Sequence, residues 1–444
     1  MNETSEGIKP GGDKIALLGL FVIALLIAQL IVSSRSVILL SEPIELANTG
    51  LSISIPVGNG WQSNKTWAFH DNAFILGSSY VMNPRKPTAL AQCQYRFAAE
   101  IFTPQEIFKQ KALELAGMIV NTDQVQTDKL VFDWAHINTP QINLHMFIGT
   151  ALLPGNHQLD IEVHEISGNA DIAEKTFMSI IKKVHYKDNN LFRTGAEMIA
   201  VFKSKGIDNL IDEQKPQGFY LIEDAGKKTI GFMTDILTSS TQDNPLNIHV
   251  AGFVYIRGRS GYEQATSFQS DNNYDQFTWK GQTYRGRNKS GTEIDLNRDG
   301  TLTISKYGPD PLQESYRPGN AAIPDALLGL FSYEVLGSNE KEIAVDTISI
   351  DGKIVPTLIS KMQVDEDIFA DEQTAYILKF EPQDGQGFYE QVYLDKNKKI
   401  YKRLLRQEDL YTLKKASIEE IRAIFPERSK NILQDVEPTN KDLL

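Results

Sequence analysis

The chain has 444 residues, 41% apolar and 9% aromatic, an ordinary balance for globular protein. Its formal net charge of -12 excludes wholesale binding to nucleic acid or to an anionic membrane surface, because counterion release needs clustered lysine and arginine. A single cysteine, Cys93, excludes any intrachain disulfide and suits a bacterial envelope better than a secreted eukaryotic domain.

In chain order, the first predicted element is the 18-residue apolar run from Ile15 to Val32, with Gln29 its only strongly polar member. At about 1.5 Å per helical residue it nearly crosses a ~30 Å hydrocarbon core, so it is expected to be the one membrane helix. A signal peptide has a shorter apolar core of ~7–15 residues, so the run is expected to stay attached. No cysteine lies near it to carry a lipid. Lys9 and Lys14 precede it, and Arg35 is the only basic residue after it before Lys65. The positive-inside rule then places residues 1–14 in the cytoplasm and the bulk outside, in a periplasm or at a cell surface. Residues 33–48 are expected to be a tether.

From residue 49 to 188 strands and helices alternate. Leu51, Ile53 and Ile55 alternate with serines and stop at Pro56. Further strands are predicted at 74–82 and 94–101. Thr103-Pro104-Gln105-Glu106 is a capping box with proline in the first turn, and Phe108, Ala112, Leu115 and Ile119 follow at helical spacing. Strands at 129–137, 143–152 and 157–166 precede a closing helix from about Asp171, whose face carries Phe177, Ile180, Ile181 and Val184. Three strands, helix, three strands, helix argues for one sheet with helices packed on it. In this layout the segment resembles the PsbP-like α/β/α sandwich, which implies an accessory or binding module.

Asp188-Asn189-Asn190 reads as a domain boundary. After a helix predicted over 195–210, turn signals recur at Glu223-Asp224-Ala225-Gly226, Lys280-Gly281, Asn297-Arg298-Asp299-Gly300, Asp351-Gly352 and Asp395-Lys396-Asn397-Lys398. Asp-Gly turns match strand twist, so residues 191–426 are expected to form a large curved antiparallel sheet or half-barrel. Leu327, Leu328, Phe331 and Val335 mark a helix over 324–335 on its concave side, and 417–425 a last helix. Residues 427–444 are polar and are expected to be disordered. The whole is α+β. The second segment is similar to the periplasmic lipoprotein-carrier and RseB-like superfamily, whose curved sheet receives acyl chains or a partner.

Motifs for chemistry are few. Asp295-Leu296-Asn297-Arg298-Asp299-Gly300 has the first spacings of a calcium loop, but Lys306 stands where the closing glutamate belongs, so a hairpin turn is expected. His164-Glu165 opens a zinc-protease pattern that Gly168 breaks. Asp160, Glu162 and His164 alternate along one strand face with His157 nearby, which reads as a solvated face rather than a metal site. Gly58-Asn59-Gly60 and Gly385-Gln386-Gly387 read as turns, and Cys93 as a buried structural thiol. No catalytic residue, metal or cofactor is expected.

Residues 252–290 hold six Lys or Arg against Glu263, Asp271 and Asp275. Two Arg-Gly-Arg triplets carry Arg257, Arg259, Arg285 and Arg287 among aromatics that include Tyr262 and Trp279. Arginine forks suit phosphate or carboxylate, and aromatic faces suit sugars, so these six residues are the candidate ligand surface. The expected function is a non-enzymatic, membrane-anchored binding or scaffold protein of the cell envelope, holding a lipid, an anionic polymer or an envelope protein. An envelope glycan or lipid hydrolase with carboxylate catalysis is the alternative from another class, and a structural subunit of a membrane complex a third.

Overall fold

The computed structural model describes residues 38–429, apart from 59, 81–87, 128, 167, 189, 215–217, 240–244, 258–260, 309–310 and 408. The apolar run from Ile15 to Val32 and residues 430–444 of the tail lie outside the described residues. No described helix is long and apolar enough to cross a membrane.

The protein is α+β and dominated by antiparallel sheet. In the first segment an eight-stranded sheet runs in the order Trp61–Ser63, Ala73–Tyr80, Ala89–Arg96, His157–Glu165, Leu144–Leu153, Val131–Thr139, Met118–Gln126, with Ala68–His70 also beside Ala73–Tyr80. Helix α1 (Pro104–Glu114) covers one face through Ile107, Phe108 and Ala112, packed on Ala135, Ile137, Met146 and Ile148. Helix α2 (Ala170–Ile181) covers the other, with Phe177 against Trp134 and Phe147. The capping box of α1 forms as its sequence requires: Thr103 accepts from the Glu106 backbone, and Glu106 accepts from the Thr103 N–H.

Two details of this segment differ from the pattern reading. Helix α1 stops at Glu114, and Ile119 belongs instead to the edge strand Met118–Gln126. That strand is exposed on nearly all its residues, so it shows none of the apolar alternation by which a strand is recognised.

Helices α3 (Asn190–Lys205) and α4 (Ile207–Gln214) replace the single helix expected over 195–210. The break falls at Gly206, whose φ of +78° is a conformation that side chains disfavour. Helix α3 lies on strand Glu342–Ile348 so closely that a Cβ on Gly195 would stand 2.0 Å from the Ala344 carbonyl oxygen. Glycine inside a helix costs stability, and here it permits that approach.

The large sheet has sixteen strands. From one end they run Ala322–Pro324, Glu342–Ile348, Ile354–Met362, Tyr376–Pro382, Tyr389–Leu394, Ile400–Arg406, Leu410–Lys415, Gly218–Glu223 and Thr229–Ser239. They continue through Ile248–Ile256, Tyr262–Ser270, Phe277–Arg285, Asn288–Leu296, Leu302–Tyr307 and Leu312–Pro318 to Ala98–Glu100. Among the described residues, only the pair of Ala322–Pro324 with Glu342–Ile348 is parallel. The sheet curls round helix α5 (Asp325–Gly337), so that a Cβ on Gly281 would meet Ile350, in the turn between Glu342–Ile348 and Ile354–Met362, strands far along the order. A short helix α6 (Ile418–Ile424), capped by Ser417 and Glu420, follows.

Four of the expected turns join neighbouring strands: those at residues 224–226, 297–300, 351–352 and 395–398. Lys280-Gly281 does not. It lies inside Phe277–Arg285, where the glycine makes room for Ile350, and the chain reverses instead at Gly286, φ +59°.

The two segments share one contiguous core, from Ile53, Cys93 and Phe177 through Ile199 and Phe202 of α3 to Phe331 and Val345. Polar contacts cross it as well. The buried His157 ring is bonded to the Tyr95 hydroxyl (2.7 Å) and to Asp346 (2.8 Å). The Asn72 side chain donates to the Gly352 carbonyl and accepts from the Ile354 N–H, each at 3.0 Å. The first segment also contributes Ala98–Glu100 to the large sheet.

Candidate functional site

Helix spacing and strand alternation bring a cavity of about 590 Å³ into being between α5 and the curled sheet. On α5, Asp325, Gly329 and Tyr333 recur every fourth residue and so share the face that lines it. On Thr229–Ser239 the cavity phase is Met233, Asp235, Leu237, and on Ile400–Arg406 it includes Arg403 and Leu405. Val250, Trp279, Ile350, Val355 and Phe380 supply apolar wall.

Arg403 is the centre of its polar part. Its Nη1 lies 3.4 Å from Asp235 and its Nε 3.3 Å from Glu390, and its guanidinium stands 5.5 Å from the centre of the Tyr220 ring. Burial works against the charge on Arg403, but Glu390, Tyr220, Asp235 and Tyr333 outweigh it and hold its pKa above the ordinary value. The absence of a Cβ on Gly329 leaves the guanidinium beside the helix, with Nη2 3.7 Å from where that atom would be. Asp235 keeps about a third of its side-chain surface, 35%, open towards this space. Burial still raises its carboxyl pKa, Arg403 lowers it and Glu390 raises it, with the net shift upward. Burial likewise pushes the Tyr333 hydroxyl up to about 12.

Asp325 differs from these groups. It is exposed, and its open surface borders the cavity. It has no hydrogen-bond or ion-pair partner among the described residues. The Trp279 Nε1 donor is buried and also lacks a partner among the described residues.

The six residues singled out in sequence are divided by the sheet. Strand register pairs Tyr262 with Arg285 and Phe268 with Trp279, so Tyr262, Trp279 and Arg285 share the cavity-side phase. Trp279 lines the cavity, while the Arg285 guanidinium lies 5.5 Å from the Tyr262 ring centre nearer the end of the strands. Arg257 follows the opposite phase and lies over Phe425, beside the cluster of Phe232 and Tyr255. Arg287 is an exposed turn residue, and Arg259 lies outside the described residues. The two turns are neighbours, with the Gly286 N–H donating to the Gly261 carbonyl at 3.3 Å. Much of the nearby charge is paired: Lys280 with Glu293, Arg428 with Glu263, and Lys203 with Asp275.

The other motifs resolve into structure. Asn297 to Gly300 is a hairpin turn between strands, and Asp295 accepts from the Thr278 hydroxyl at 2.7 Å. Asp160 pairs with Arg96, which also binds Glu100, and Glu162 joins Lys111 to His164. His157 has the opposite phase and points its bonds into the core. No group of three or more His, Cys, Asp or Glu placed to hold a metal ion occurs among the described residues.

Asp235, Asp325, Glu390 and Arg403 escaped the sequence reading because they come from separate elements far apart in the chain, where no spacing rule applies. One signal was available: Asp235 stands in phase with Met233 and Leu237, a charge among apolar neighbours.

No family model and no curated protein matches the chain. Among solved structures, it is similar to a beta-barrel-like protein of a domain of unknown function from Brucella abortus, at 12% identity over 45% of this chain and 95% of that one, with a TM-score of 0.33. A protein from Bacteroides thetaiotaomicron VPI-5482 matches at 9% identity over 37% of this chain and 61% of that one, with a TM-score of 0.21.

Proposed function

We propose that this chain is a non-enzymatic, membrane-anchored binding protein of the cell envelope, and that its ligand is a small amphiphile held beside α5. The observation that carries the reading is the cavity of about 590 Å³, with apolar wall on one part and the Arg403 cluster on another. That size falls within the ~300–1,000 Å³ typical of small-molecule sites, which combine apolar lining with a few placed polar groups. The anchor and extracytoplasmic placement rest on the run from Ile15 to Val32 and on Lys9 and Lys14.

The test uses the full chain in lipid nanodiscs, with empty discs as the blank, titrated with the neutral fluorescent probe N-phenyl-1-naphthylamine. Gly329→Leu places a side chain at the cavity wall beside Arg403. Saturable binding to the wild type, weakened at least about tenfold by Gly329→Leu, is the expected result. That ratio corresponds to ~1.4 kcal/mol. Equal binding to both proteins, or none to either, refutes the reading.

A further inference from the structure

Among the described residues, five acidic and five basic side chains line the cavity, so its wall carries no formal net charge. Most of them are exposed, where water and salt screen them, and Asp351 pairs with Lys353 at 3.3 Å. In the polar part Arg403 stands between Asp235 and Glu390, so both carboxylates face the one guanidinium. An anionic ligand would find that cation already compensated and two carboxylates beside it. A cationic ligand would have to draw those carboxylates away from Arg403. Hydrogen-bond donors, by contrast, are left over. A guanidinium carries five N–H groups in a fixed fork. Nη1 donates to Asp235 at 3.4 Å, and Nε faces Glu390 at 3.3 Å. Nη2 donates to no described residue and stands beside Gly329, on the face of α5 that lines the cavity. One turn further along that face, the Tyr333 hydroxyl also has no hydrogen-bond partner among the described residues.

From this arrangement we infer that the ligand is uncharged and presents a carbonyl oxygen, as an ester or amide does, to Arg403 Nη2 and the Tyr333 hydroxyl, while its chain lies along Val250, Trp279, Ile350 and Phe380. The inference rests on the cavity being a ligand site and adds the ligand's chemical class. A carbonyl oxygen has two lone pairs and no proton, so it accepts from both donors, whereas an ammonium accepts from neither. The bonds add no charge to a wall whose charges already balance. In a space shielded from water they are also stronger than in solvent. The Tyr220 ring, 5.5 Å from the guanidinium, backs the fork that offers Nη2.

Methyl octanoate, octanoate and octylamine share one chain length and differ in the head. Each is used to displace N-phenyl-1-naphthylamine from the full chain in nanodiscs at pH 7, with empty discs as the blank. Methyl octanoate is expected to bind at least about tenfold more tightly than either ion, because an unpaired charge resists leaving water. Arg403→Lys keeps the charge that Asp235 and Glu390 face and removes the fork, and Tyr333→Phe removes only the hydroxyl. Each should weaken methyl octanoate at least about threefold more than it weakens the probe, which has no carbonyl. The wild-type ranking needs no variant to fold. Octanoate or octylamine binding as tightly as methyl octanoate overturns the uncharged assignment. A loss no greater for methyl octanoate than for the probe, in either variant that folds, overturns the carbonyl. If the probe binds and none of the three displaces it, the cavity remains a ligand site and the inference falls. If the probe does not bind, both fall.

Discussion

Gly195→Ala sets two effects of opposite sign against each other. Alanine in a helix interior is favoured over glycine by roughly 0.5–1 kcal/mol, so local propensity alone predicts a more stable protein. Packing predicts the reverse. The new Cβ would lie 2.0 Å from the Ala344 oxygen and 3.1 Å from Val345 Cγ1, whereas ordinary contact begins at 3.4 Å. Helix α3 would have to retreat by about 1.4 Å, an overpacking of the kind that costs roughly 1–3 kcal/mol. The obstructing atom belongs to the backbone of a strand paired on both sides and cannot rotate away, so the upper end applies. The retreat also loosens Ile199 and Phe202, which α3 buries in the shared core. The net expectation is a loss of about 2 kcal/mol, read from urea unfolding of the full chain by far-ultraviolet circular dichroism. An alanine variant that unfolds at the same or a higher urea concentration would refute the close packing of α3 on Glu342–Ile348.

The buried Asp346 gives a pH dependence whose sign follows from its surroundings. Burial raises its carboxyl pKa above the ordinary value, His157 lowers it in part, and the net shift is upward. Its contribution to stability is therefore fully present below the unfolded pKa of about 3.9 and is lost as pH rises through the folded value. The stability of the wild type relative to Asp346→Asn should fall with rising pH in urea titrations from pH 4 upward, and a gap that widens with pH would contradict the assignment. Cys93 is fully buried with its thiol pushed up to about 12, so at pH 8 a disulfide exchange reagent should label it only after denaturation. Stoichiometric labelling of the native protein within minutes would disprove its burial.

What the sequence disclosed was mainly what neighbouring residues decide. Thr103 with Glu106 marked the start of α1, and the aspartates and glycines of four turns marked where strands reverse, because Asp224, Asp299 and Asp395 accept local backbone N–H bonds and Gly300 and Gly352 take positive φ. Edge strand Met118–Gln126 escaped because solvent meets both its faces and leaves no period of two. Gly281 was read as a turn because its chemistry is ambiguous: the same missing Cβ that permits a reversal here admits Ile350. Arginine clustering placed Trp279 and Arg257 on one surface, although strand phase sends them to opposite faces. Asp325 was legible only as the first residue of a helix. Its isolation depends on which distant charges the curled sheet brings near it.

The order of the strands bears on how the protein emerges from the ribosome. Gly218–Glu223 pairs on one side with Thr229–Ser239, made at once, and on the other with Leu410–Lys415, made almost last. At about 5–20 residues per second the second neighbour follows on the order of tens of seconds later. Throughout that wait one row of backbone N–H and C=O groups has no partner and offers a template for another chain. Leu312–Pro318 is spared the same delay because Ala98–Glu100 already exists when it is made. A nascent chain stopped before Leu410 would therefore keep an open strand edge and gather into aggregates, while the finished chain closes it.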